Sequence, residues 1–139
     1  MNKDKALYPQ LAAERQTKTR HGVLAVLRGR QPLAAPEILV RLKKQKVVVN
    51  KTTVYRELEF LLKKKVISEM VLQDGLKRYE LTPAEHGHHL VCLDCRAIEH
   101  VVLDKDLEEQ EKQISRSRHF KIMSHSLEFY GLCRRCTKK

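Results

Sequence analysis

The chain has 139 residues, 42% of them hydrophobic and 32% charged, with a formal net charge of +11. That length allows one domain or two small ones, and the sequence has no apolar run of about 18 residues to cross a membrane. No apolar signal segment follows Met1-Asn2-Lys3-Asp4-Lys5, so a cytoplasmic protein is expected.

The charge is uneven. Residues 1–83 carry 18 Lys/Arg against 8 Asp/Glu, a net of +10, while residues 84–139 carry 10 against 9. A basic unit of that size suggests a polyanionic partner, although a solubilising lysine-rich surface gives the same count. All four cysteines and six of the seven histidines lie beyond residue 85.

In chain order, residues 7–14 are expected to form a first short helix, with Leu7 and Leu11 one turn apart. Thr17 is placed to cap a helix carrying Val23, Leu24, Val26 and Leu27, which Gly29 stops. Pro36 sits where a helix begins, and Ile38, Leu39 and Leu42 are its apolar stripe. Val47 to Val49 is a β-prone connector. Asn50 is a suitable cap for a helix over about residues 51–64. Val54, Leu58, Leu61 and Leu62 form its buried face, with Thr52, Tyr55, Arg56 and Glu59 opposite. Residues 66–72 and 77–81 then read as strands about an Asp74-Gly75 turn.

Helices followed by a β-hairpin in a basic unit make the plan of a winged helix-turn-helix. A small α+β domain with no nucleic-acid role has the same periodicity. The fold class expected is α+β: a winged helix-turn-helix domain over residues 1–81, a hinge at 82–84, and a small α/β domain over 85–139. In the latter, His89 to Leu93 and Ala97 to Leu103 read as strands. Asp104 is placed to cap a helix reaching about Arg118, and residues 121–132 alternate loosely.

Cys92-x-x-Cys95 and Cys133-x-x-Cys136 have the spacing of a four-thiolate zinc site, two ligands from each tight turn. With 37 residues between the pairs, such a site would pin the end of the chain back onto the start of its sheet. In a reducing compartment such pairs are metal thiolates rather than disulfides; the competing reading is a pair of redox dithiols. His86, His88 and His89 are clustered. In an extended segment, His86 and His88 face one side and His89 the other. Nitrogen and carboxylate donors there suit an exchangeable iron(II), manganese or zinc ion.

The order Thr17-x-x-Arg20, Thr53-Val54-Tyr55-Arg56, Tyr79-Glu80-Leu81, His86-x-His88-His89-Leu90-x-Cys92-x-x-Cys95, His125-Ser126-Leu127 and Cys133-x-x-Cys136 resembles the ferric uptake regulator family. The resemblance runs from about residue 7 to 136. It implies a metal-responsive repressor that binds double-stranded operator DNA as a homodimer, with residues 85–139 as the dimerisation domain and no enzymatic role. Iron, zinc, manganese and peroxide sensors all belong to the family, and a member whose DNA binding is independent of metal is a further alternative.

By that resemblance, Tyr55 and Arg56 are groove-facing recognition residues, Arg15 reaches toward the minor groove, and Lys51 and Thr53 contact the backbone. Cys92, Cys95, Cys133 and Cys136 match the structural zinc ligands. His86, His88, Glu108 and His125 match a second site, which would take Fe2+, Mn2+ or Zn2+. Glu80, His89 and Glu99 match part of a hinge site, with Glu99 requiring a one-residue alignment gap. Two departures weaken that hinge site: Pro32 and Gly87 stand where the family has histidines, and neither side chain can coordinate. Zinc deaminase chemistry is not indicated, because neither cysteine pair follows proline and no His-x-Glu occurs.

Overall fold

The computed structural model describes residues 3–29 and 31–138. The chain divides into two compact units, Met1–Thr82 and Pro83–Lys139.

The first unit starts with a short helix α1 (Lys3–Leu7) and a 3-10 turn at Pro9–Leu11. These replace the single helix expected over 7–14, because Pro9 has no N–H to continue a helix. Helix α2 (Lys18–Leu27) is capped by Thr17, whose hydroxyl accepts from the Arg20 N–H at 3.0 Å. Strand β1 (Leu33–Ala34) leads directly into α3 (Ala35–Lys44), where Glu37 accepts from the Ala34 N–H at 3.1 Å. Residues 47–50 form no strand. Asn50 then caps α4 (Lys51–Lys63), accepting from the Thr53 N–H at 2.8 Å.

Strands β2 (Ile67–Val71) and β3 (Lys77–Leu81) form the hairpin. At the turn Asp74 accepts from the Leu76 N–H, and Gly75 takes φ +77°, a value that suits a residue without Cβ. Strand β1 adds to the other side of β3, giving the order β1-β3-β2. Two residues are too few to show alternation, so β1 is not visible in the sequence. Leu24, Leu27, Ile38, Leu42, Val54, Leu58 and Leu61 are buried together at the centre of the helices, with Tyr79 and Ile67 closing the core from the sheet.

The second unit contains β4 (His88–Cys92), β5 (Ile98–Val101), α5 (Glu108–Arg118), β6 (Glu128–Gly131) and a final turn α6 (Arg134–Thr137). The sheet order is β5-β4-β6. Strand β5 pairs antiparallel with β4, and β6 pairs parallel to it, with α5 in the crossover. Helix α5 begins three residues later than a cap at Asp104 implies. Its N-cap position is Leu107, and the preceding Asp106 accepts from the Leu107 N–H at 2.8 Å. This unit has little apolar interior. Among the described residues its buried hydrophobics are Cys92, Ile98 and Cys136, while Leu90, Leu93, Ile114, Phe120, Phe129 and Leu132 are exposed.

Candidate metal centre

Both cysteine pairs reach the same end of the second sheet because β4 and β6 are parallel. Cys92 ends β4 opposite Gly131, and Cys133 follows β6 as the N-cap residue of α6. The four sulfurs come within 4.8 Å of one another, and all four are free thiols. Cys95 Sγ and Cys133 Sγ lie 3.7 Å apart. A tetrahedron with metal–sulfur bonds of about 2.3 Å has edges of about 3.8 Å, so the spacing fits a four-thiolate zinc site.

The protonation pattern points the same way. Backbone N–H groups of Cys133 and Cys95 pull the Cys92 thiol down to about 6. The backbone around Cys136 lowers Cys133 as well. Burial, followed by the neighbouring sulfurs, pushes Cys136 far up. Backbone dipoles thus favour ionisation at Cys92 and Cys133, whereas four thiolates together need a cation to offset their mutual repulsion.

The second cluster is His86, His88, Asp106 and His125, whose donor atoms also lie within 4.8 Å of one another. His86 precedes β4, and His88 is its first residue, on the same side of the strand. Asp106 comes from the turn before α5 and His125 from the segment before β6. His86 Nε2 lies 3.1 Å from His125 Nε2. Asp106 stands 3.1 Å from His88 Nε2 and 3.2 Å from His86 Nε2. The hydrogen bond from His88, then the Leu107 N–H and the other two histidines, hold the Asp106 carboxyl below its ordinary value against its desolvation. Behind His125, Nδ1 meets the Glu111 carboxylate. That contact assigns the Nδ1 proton and turns the Nε2 lone pair toward the cluster.

Three imidazole nitrogens and a carboxylate at this spacing suit a first-row divalent ion, with positions left for exchange. The carboxylate in the cluster is Asp106 rather than Glu108. Glu108 opens α5 and is exposed, one turn before Glu111. The cluster therefore differs from the expected ligand set at one donor of the four, Asp106 in place of Glu108. Asp106 lies before the helix and reaches the histidines, whereas Glu108 is already the exposed first residue of α5. Asp106 and Glu111 belong to none of the motifs read from the sequence, yet both lie at this cluster.

Glu80 lies in β3 of the first unit, and His89 and Glu99 lie in the second. Register sets Leu90 opposite Glu99 and His89 opposite His100. Glu99 therefore faces away from His89, and His100 shares its side, with ring centroids 5.8 Å apart. The His100 ring also occupies the space beside Gly87, where a Cβ would come within 2.5 Å of Nε2. Counting alternation along β5 (Ile98–Val101) from the strand pairing would have singled out His100.

In the first unit, Lys51, Thr53, Tyr55 and Arg56 lie on the exposed side of α4, opposite buried Val54, Leu58 and Leu61. Lys51 Nζ sits 5.7 Å over the Tyr55 ring. Arg15 is exposed in the turn before α2.

Comparison with known proteins agrees with this layout. The family model described as the ferric uptake regulator family matches residues 12–130. A ferric uptake regulation protein from Bacillus subtilis is 38% identical over 110 residues, covering 77% of this chain and 73% of the relative. The crystal structure of the Vibrio cholerae ferric uptake regulator superposes with a TM-score of 0.72 at 28% identity, covering 95% of this chain and all of that one. The Helicobacter pylori regulator, whose structure is described as revealing three functional metal-binding sites, superposes with a TM-score of 0.74 at 26% identity, covering 97% and 91%. A helical, basic first unit with a β-hairpin, a second unit bearing two metal-ligand clusters and a family match across 119 residues lead to one assignment: this chain belongs to the ferric uptake regulator family of metal-responsive transcriptional regulators.

Proposed function

We propose that the chain is a repressor that grips operator DNA as a homodimer when a divalent ion occupies the His86/His88/Asp106/His125 cluster. The convergence of three imidazoles and one carboxylate from separate segments carries this reading. When bound, a divalent cation supplies the positive charge against which all four donors can face inward without protons between them. His86, His88, Asp106 and His125 belong to three stretches of chain, so drawing them together ties the start of β4, the entry to α5 and the approach to β6. That selects one conformation of the second unit from those accessible without metal.

The four-cysteine cluster has a different role. It holds the turn after β6 against the end of β4, and its donors suit a permanently bound structural zinc. The exposed Leu90 and Phe129, paired across β4 and β6, offer an apolar sheet surface for a second copy. The Helicobacter pylori relative is described as having three functional metal-binding sites; among the described residues here two clusters have full donor sets, and His89 and His100 are a further pair.

On DNA, the exposed face of α4 is the reading surface. The Tyr55 ring suits thymine methyls and Arg56 a base edge, while Lys51 and Thr53 are placed for phosphates. Arg15 is assigned to the minor groove. The net charge of +10 on residues 1–83 provides the sequence-independent attraction.

The test is affinity for a duplex recovered from a random pool by the unmodified protein, measured at one salt concentration with zinc retained at the cysteines. Adding Mn(II), Fe(II) or Zn(II) should tighten binding, and His88→Ala should remove that response. Arg56→Ala should cost about 1–3 kcal/mol with any metal. Affinity independent of added metal overturns the sensing role and leaves DNA binding standing.

A further inference from the structure

The strongest unexplained feature of the first unit is a buried guanidinium. Arg20, on α2, is 8% exposed, and Glu57, on α4, is 9% exposed. Arg20 Nε donates to Glu57 at 2.9 Å, and Nη2 donates to the other carboxylate oxygen at 3.3 Å. The remaining nitrogen, Nη1, donates to the backbone carbonyl of Arg15 at 2.6 Å. The guanidinium also lies 4.1 Å over the Phe60 ring. All three nitrogens and the flat face of one side chain are thus committed, mostly to the reading helix.

A second tie runs parallel to it. Glu14 meets Lys64, the residue capping the end of α4, at 2.7 Å. Lys64 Nζ lies 5.8 Å over the other neighbour of that strap, the Phe60 ring. Glu14 and Arg15 are therefore held to α4 at two points: one through a side chain, one through a main-chain oxygen. The Arg15 side chain itself stays exposed.

We propose that Arg20 is a positioning residue for DNA recognition: it sets the backbone at Arg15 relative to α4, so that Arg15 and the Tyr55/Arg56 face engage DNA together. This rests on the DNA-binding reading given above. The chemistry favours arginine for the task. A planar fork with donors on three nitrogens satisfies a carboxylate bidentately and still reaches a carbonyl. A lysine ammonium is a compact charge on a flexible stem. It can reach Glu57 or the Arg15 carbonyl, but it cannot reproduce the fork on both. Arg20→Lys therefore keeps the charge of the chain and removes the geometry.

The experiment is a double-mutant cycle on DNA affinity with the full chain, zinc retained and Mn(II) added, using the pool-selected duplex. Arg15→Ala and Arg20→Lys should each weaken binding by about tenfold. Their combination should be no worse than Arg15→Ala alone. The dependence of affinity on salt should become shallower by about one phosphate equivalent in Arg20→Lys, although no charge is lost. A purely structural role would lower the melting temperature and leave that slope unchanged. Glu57→Gln keeps the shape of the pair and the Arg15 carbonyl bond, and it serves if Arg20→Lys folds poorly. It should weaken binding severalfold only when Arg15 is present.

Independent, multiplying effects of the Arg15 and Arg20 substitutions overturn the proposal. So does an Arg15→Ala protein that binds as tightly as the unmodified one while Arg56→Ala binds weakly; DNA recognition by α4 then survives without the positioning role. If Arg56→Ala is also without effect, the DNA-binding reading itself falls, and the positioning role with it.

Discussion

Glu111 touches no proposed metal position, yet it determines which nitrogen of His125 is free to coordinate. Glu111→Gln should weaken the exchangeable site by about 10–100-fold, as loss of a carboxylate behind a ligating histidine does. Asp106→Asn replaces a carboxylate donor by a neutral amide oxygen and should weaken it further, whereas Glu108→Gln should leave it unchanged; competition of Mn(II) or Zn(II) with a chromophoric chelator measures all three. An effect at Glu108 equal to that at Asp106 would reverse the ligand assignment. The histidines and cysteines were legible in the sequence because those residue types are scarce and their spacing is chemical. The carboxylates were not, because Asp104, Asp106, Glu108, Glu109 and Glu111 are crowded into eight residues. Choosing among them requires the point where α5 begins. Glu99 and His100 are adjacent in the same way, and only strand register tells which one shares a side with His89.

At the scale of elements, the caps at Thr17 and Asn50 and the Asp74-Gly75 hairpin could be read from local chemistry, since each is decided within four residues. Strand β1 (Leu33–Ala34) and the irregular run between α5 and β6 depend on distant partners and left no local trace. The tie between α1 and α2 is another such case. Asp4 is fully buried, accepting from Gln16 at 2.6 Å and Arg28 at 2.7 Å, with His21 Nδ1 at 2.9 Å. Burial pushes its carboxyl up, but the bonds from Gln16, His21 and Arg28 outweigh that and hold it below the ordinary value. A lowered folded-state value stabilises the fold above the unfolded value of about 3.9 and is lost as pH falls through the folded one. Asp4→Asn should therefore cost about 2 kcal/mol near neutrality. The gap to the unmodified protein should narrow below about pH 4, as read by urea melts of the first unit. A gap that widens on acidification would contradict the sign.

At the scale of the whole molecule, the two units are stabilised by different means. The first has a contiguous aliphatic interior; the second buries Cys92, Ile98 and Cys136 and little else apolar among the described residues. A unit of that size without a core needs a metal or a partner. Strong chelation, or replacement of all four cysteines by serine, should unfold the second unit while the first keeps its melting transition. Calorimetry or circular dichroism before and after metal removal reads this directly, and an unaltered second transition would refute the structural role of the cysteines. The parallel placement of β4 and β6 adds a topological effect. If the thiolates at Cys92, Cys95, Cys133 and Cys136 share one ion, they close a ring around the intervening 37 residues. A single protease nick inside that ring would leave the severed pieces fastened together, and the tail would depart only when the ion did.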